Sequence, residues 1–184
     1  MKKSIIGALV GGIILFMWQF LSWTAINLHS AAQQYTPKQD SIMSYLGSSL
    51  GKQGGYYIPG APVGTSFEEM EKLALTNVGK PWASIQYHEA LEYNMGLNMA
   101  RSLAVDIALV WILCWLLGKF SKNSFGTSFT VSIAMGIFVY LNGPYTGHIW
   151  YPIFDIRAYL IDFIVMWGLT GVWLGWWLNR KSAA

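Results

Sequence analysis

Four apolar runs limit what this chain can become: residues 5–28, 97–118, 125–141 and 158–178. Each approaches the ~20 residues that a helix needs to cross a bilayer. A bilayer core leaves no water for backbone groups, so runs of this length are expected as helices. The reading is an all-α membrane protein with four transmembrane helices. Composition agrees: 54% of the residues are hydrophobic and only 11% charged, with ten tryptophans among 184 residues. The expected organisation is a first transmembrane helix over 1–28, an extracytoplasmic segment over 29–96, and helices two to four with short loops over 97–184.

Flanking charge gives the direction. Lys2 and Lys3 precede the first run, Lys119 and Lys122 separate the second from the third, and Arg180 and Lys181 follow the fourth. Cytoplasmic termini put all six cations on the side favoured for short loops. Asp40, Glu68, Glu69, Glu71, Glu89, Glu92 and Asp155 then fall on the other side. The expected location is a bacterial inner (cytoplasmic) membrane, crossed several times. A cleaved signal peptide is the competing reading of the first run, with Ser30-Ala31-Ala32 as small residues at a cleavage point. The run is longer than a usual ~7–15-residue signal core, which favours a retained anchor.

The long connection after the first run carries start and stop signals. Thr36-Pro37 reads as an N-cap with proline in the first turn of a helix to about Leu50. Gly54 and Gly55 break it, and Tyr56-Tyr57-Ile58 before Pro59-Gly60 reads as a short extended piece. Ser66 and Glu69 form a capping box for a second helix ending near Gly79. Residues 81–87 can make a second short strand, after which the chain is expected to turn helical and enter the second span. This makes a small, mainly helical segment, expected to pack on the outer rim of the bundle.

Charge inside the apolar runs is rare and patterned. Arg101, Asp106 and Trp111 recur as Arg157, Asp162 and Trp167 with identical spacing, and Leu113 aligns with Leu169. The repeat suggests two related hairpins, although the first and third runs match poorly and coincidence is an equal reading. Residues five apart on a helix differ by ~7.5 Å in height and ~140° in direction, so each Arg is poorly placed for the Asp of its own helix. Exchanged pairing, Asp106 with Arg157 and Asp162 with Arg101, is the expected arrangement; the bland alternative is that each arginine reaches headgroup water. Gly7 with Gly11, and Gly171 with Gly175, have the spacing that lets membrane helices approach closely. Trp18, Trp23, Trp150, Trp176 and Trp177 read first as interfacial anchors.

Candidate chemistry is sparse. The candidate binding residues are Arg101, Asp106, Arg157 and Asp162, with Tyr145, His148 and Asp155 in the stretch 142–156, where Gly143-Pro144 and Gly147 are expected to fix turns. His88 and Glu92 are four apart and are expected to share a helix face, with Glu89 adjacent, as a weak metal pair. The zinc-protease pattern needs a second His where Glu92 stands, and a third ligand would have to come from His29, His148 or Asp155. Cys114 sits alone in an apolar run and reads as a small buried hydrophobe. No cofactor motif is present, and no catalytic residue stands out.

These observations narrow the function. The net charge of +3 is scattered and forms no stripe for nucleic acid. Residues 107–118 and 163–178 contain no charge, which disfavours transport by one copy, since pumps and channels place polar groups across the full thickness. The layout is similar in a general way to bacterial four-span membrane proteins, a likeness that implies no activity. The first expectation is an accessory, assembly or binding protein with an extracytoplasmic working surface, using the lipid bilayer and a membrane or extracytoplasmic protein as partners. The alternative is a small-molecule, lipid or ion-handling protein built on the Arg and Asp residues. A metal-dependent enzyme is the third reading.

Overall fold

The computed structural model describes residues 2–180; Lys181, counted above among the flanking cations, lies outside them. In chain order the elements are α1 (Lys2–Phe20), α2 (Gln39–Leu50), β1 (Gly54–Ile58), α3 (Phe67–Thr76), β2 (Ala83–Tyr87), α4 (Met95–Leu117), α5 (Phe125–Tyr140), α6 (Thr146–Trp150) and α7 (Ile156–Asn179). They form two compact units, one from residues up to Gln34 with those from Asn94 onward, the other from Tyr35–Tyr93.

The first unit holds four helical stretches long and apolar enough to cross a membrane: Lys2–Ala25, Met95–Leu117, Phe125–Trp150 and Ile156–Asn179. The protein is a multi-pass membrane protein. Local chemistry fixes where two of these stretches begin. The Asn94 side chain accepts from the Leu97 N–H at the head of α4, and Ser124 accepts from the Thr127 N–H at the head of α5. Each thereby satisfies one of the donors that a helix start leaves free.

Packing order follows from where the glycines lie. Helix α1 packs against both α4 and α7, α5 packs against α7, and α4 barely meets α5. A Cβ on Gly11 would come within 2.7 Å of Val110, and one on Gly12 within 2.7 Å of the Ile107 backbone. Gly171 and Gly175 do the same for Phe129 and Phe125 on α5, and Gly136 accepts the Trp167 ring. The core is Leu15, Val110, Leu113, Cys114, Leu117, Met166, Trp167 and Leu174. The Trp177 and Trp173 indole N–H groups donate to the Lys3 and Gly7 carbonyls, at 2.7 and 3.1 Å. The start of α1 thus lies beside the end of α7.

The third span corrects one expectation. Gly143-Pro144 and Gly147 do not turn the chain out of the helix at residue 142. A π-type turn, Leu141–Tyr145, carries it on into α6. Proline lacks the N–H that an α-helix needs there. Within this turn the Thr146 hydroxyl donates to the Leu141 carbonyl at 2.6 Å.

In the second unit β1 and β2 pair antiparallel, with Gly54 opposite Tyr87 and Ile58 opposite Ala83. Helix α3 begins at the capping box expected from Ser66 and Glu69. The Ser66 hydrogen bonds, first from its hydroxyl and then from its backbone N–H, hold the Glu69 carboxyl below the ordinary carboxylate range. A second expectation fails here. His88 and Glu92 do not share a helix face, because the chain from His88 to Asn94 is non-helical and α4 begins only at Met95. The Asn94 cap supplies the physical start signal, six residues after His88.

Candidate polar site at one end of the bundle

The polar centre of the first unit is a histidine. After α1 a π-type turn, Leu21–Ala25, continues the helix to Ala25, and Asn27, two residues on, has a φ of 55° in the left-handed region. Asparagine tolerates that conformation better than most residues. The Leu28 N–H then bonds back to the Ser22 carbonyl at 2.9 Å. The reversal buries His29 completely.

Asp155 and Asp162 receive its ring. They are seven residues apart, two helical turns, so they project from one face of α7. His29 Nδ1 lies 2.7 Å from Asp155 Oδ2, and Nε2 lies 2.8 Å from Asp162 Oδ2. With both carboxylates ionised, the ring must carry both N–H protons and is an imidazolium. A neutral ring requires one carboxyl to hold the proton instead. Trp23 stacks on the imidazole at 3.8 Å and 3°, and Tyr159 meets it edge-on at 4.8 Å. The Trp18 indole N–H donates to Asp162 Oδ1 at 2.9 Å. Both oxygens of Asp162 are therefore satisfied.

Asp106 is served differently. Gln19 Nε2 donates to its Oδ1 at 3.1 Å, and the Ser102 hydroxyl donates to Gln19 Oε1 at 3.4 Å. Asp106 is 2% exposed, and its Oδ2 has no hydrogen-bond partner among the described residues. The exchanged Arg–Asp pairs are absent: among the described residues neither carboxylate has an arginine within 4.0 Å. The reason is the packing order. Helix α1 stands between α4 and α7, and its adjacent residues Trp18 and Gln19, ~100° apart in direction, each serve one neighbour.

Two clefts share Gln19, Asn98 and Ser102 in their linings. One, of about 390 Å³, is lined by Phe16, Phe20, Trp23, Tyr159, Asp162 and Gln19 among others. The second, of about 520 Å³, runs along one face of α4 and includes Asn98, Arg101, Ser102 and Asp106. Arg101 and Asp106 thus share one groove, and Asp155 and Asp162 share one imidazole. Arg157 is exposed and lines neither cleft. Tyr145 packs against Tyr140 at 5.7 Å, and His148 Nδ1 accepts from the Ile153 N–H at 3.0 Å, closing the turn before α7. Among the described residues no group of three or more His, Cys, Asp or Glu is placed to hold a metal ion.

Sequence reasoning missed the partners of both carboxylates. It weighed His29 only as a spare metal ligand and took Trp18 and Trp23 as interfacial anchors. The usable signals were Gln19, an amide in the middle of the first apolar run, and His29, placed directly after it. The chain matches no family model, no curated protein and no solved structure.

Proposed function

We propose that this is a bacterial cytoplasmic-membrane protein that handles a small molecule, lipid or ion at the extracytoplasmic end of its bundle, with both termini cytoplasmic. One observation carries the reading: the intramembrane carboxylate Asp106, with an oxygen that no described residue meets, lines a cleft beside Gln19. Ionisable groups are costly in a membrane and mark functional sites by default. A largely apolar cleft with a few convergent polar groups is the usual form of a ligand site. The charge-free stretches 107–118 and 163–178 fit binding at one side better than passage across by a single copy.

Native mass spectrometry after extraction from native membranes in polymer nanodiscs tests this. The unaltered protein should carry a bound non-protein mass that is depleted when Gln19→Leu and Ser102→Val are combined. A chain that flies bare in both forms would sink the reading. The orientation has its own test in a Cys114→Ala background in intact spheroplasts. A cysteine at Ser49 should react with an impermeant thiol reagent and one at Ser121 should not; the reverse pattern inverts the topology.

A second reading, a protein-binding accessory subunit, is favoured by an apolar groove of about 390 Å³ in the Tyr35–Tyr93 unit, lined by Tyr57, Met70, Leu73, Val78 and Trp82 among others. If it is the working surface, Trp82→Ala should abolish a specific crosslinked neighbour in native membranes without changing the bound small-molecule mass.

A further inference from the structure

The groove along α4 contains two unanswered charges. Asp106 presents an oxygen that no described residue meets, in a side chain almost fully buried. Arg101 lines the same groove, is exposed, and makes no hydrogen bond or ion pair among the described residues. An unpartnered buried carboxylate is expensive whether ionised or protonated, since a protonated oxygen would still lack an acceptor. The two charges cannot answer each other well from positions five apart on one helix. What complements both at once is a zwitterion.

We propose that this groove binds a molecule carrying a primary ammonium joined by a short chain to a phosphate or carboxylate. The ammonium sits on Asp106 Oδ2 and the anionic group on the Arg101 guanidinium. This rests on the ligand-handling reading above and names its ligand chemistry. Three features support it. Asn98, Ser102 and Asp106 lie at i, i+4 and i+8, so α4 offers a polar ladder down one face. Gln19 closes the side of that ladder from α1, holding Asp106 Oδ1 and leaving Oδ2 buried without a partner among the described residues. An ammonium has three N–H donors, enough for the Asp106 carboxyl and for a neighbouring oxygen such as that of Ser102, one turn away. A guanidinium in turn suits a phosphate or carboxylate, which it can hold by two parallel hydrogen bonds.

The same chemistry has two sources, an aminophospholipid headgroup and a free zwitterion. Val105 and Leu109, both exposed, continue the groove below the polar ladder and would lie along an acyl chain.

The test uses the full chain in detergent, read by native mass spectrometry against phosphatidylethanolamine, phosphatidylglycerol, phosphatidylcholine and free phosphoethanolamine. Phosphatidylethanolamine should be retained over phosphatidylglycerol, which lacks the ammonium, and over phosphatidylcholine, whose ammonium has no N–H. Asp106→Asn should weaken its retention on the order of tenfold or more, as for loss of one partner of a buried charge pair. Arg101→Gln should weaken it a few-fold, as for an exposed pair. Displacement of a native occupant by free phosphoethanolamine, with no selective retention of phosphatidylethanolamine, assigns the site to a free zwitterion and supports the same chemistry. Equal retention of all three lipids by the unaltered protein and by Arg101→Gln, with no response to phosphoethanolamine, overturns it. Arg101 is exposed and outside the core, so that variant gives an answer even if Asp106→Asn misfolds. A bound native mass of other chemistry would sink this proposal alone; no bound mass at all would sink the ligand-handling reading with it.

Discussion

The residues Arg101, Asp106 and Trp111 on α4 repeat on α7 as Arg157, Asp162 and Trp167, yet the two helices occupy opposite situations. Helix α7 is central, flanked by α1 and α5, whereas α4 leans chiefly on α1. Trp167 is 2% exposed and fills the hollow at Gly136, while Trp111 is 58% exposed. Leu113 is buried and its counterpart Leu169 is not. Asp162 has every oxygen met, by His29 and Trp18; Asp106 has one oxygen met, by Gln19. Identical spacing along two helices therefore says little about role. The neighbours that each helix face meets decide it: α1 and the reversal after it give α7 a tryptophan and a histidine, whereas α1 gives α4 only an amide.

The largest effect should come from the closed side. His29→Ala would leave Asp155 and Asp162 buried without their shared donor, and removing one partner of a buried ion pair costs ~3–5 kcal/mol. We expect a loss in the upper part of that range, measured by denaturant unfolding in detergent. Adding Asp155→Asn and Asp162→Asn should recover part of it. An unchanged midpoint for His29→Ala would mean that the imidazole holds nothing together.

The tryptophans give the next contrast. Trp167→Ala opens a core cavity and should cost about 3–5 kcal/mol. Trp111→Ala faces outward and should stay within about 0.5 kcal/mol. Equal losses would show that the α4 face is covered after all, as it would be in a tight dimer. Glycine substitutions give a smaller split. Gly12→Ala drives a Cβ into the Ile107 backbone and should cost about 1–3 kcal/mol, as overpacking does. Gly168→Ala meets only the tip of Ile133 at 3.6 Å and should be close to neutral.

The smallest effect lies outside the membrane unit. The folded Glu69 carboxyl is held below the unfolded value near 4.5. Its contribution to α3 is therefore complete above that value and fades as pH falls through the lower folded one. Acid titration of the protein should show a slight loss of α3 amide protection in that range, absent in Ser66→Ala. A loss appearing instead as pH rises would contradict the sign.

How much of this could be read from the chain depended on the range of the forces involved. The four spans, the short extended pieces at 56–58 and 81–87 and the α3 capping box are local patterns, set by apolar run length, glycine and proline punctuation, and a hydroxyl three residues before a glutamate. The third span was read short because Gly143-Pro144 is ordinarily a stop, and a π turn that passes over a proline has no sequence signature. The carboxylates were legible as the unusual residues. Their partners were not, because the order in which helices pack is a tertiary outcome. Contact between α4 and α7 would favour Arg–Asp exchange, but the small face at Gly7, Gly11 and Gly12 lets α1 take that place.

One pair of variants separates the two carboxylates most directly: Asp106→Asn and Asp162→Asn, each assayed for unfolding in delipidated detergent and for phosphatidylethanolamine retained per folded molecule. Asp162→Asn should lower the unfolding midpoint while the molecules that remain folded keep their lipid. Asp106→Asn should leave the midpoint unchanged or raised, since Asn keeps the oxygen that Gln19 meets, and should lose the lipid. Parallel behaviour of the two variants, or full lipid retention by Asp106→Asn, would contradict the division between a closed carboxylate and an open one.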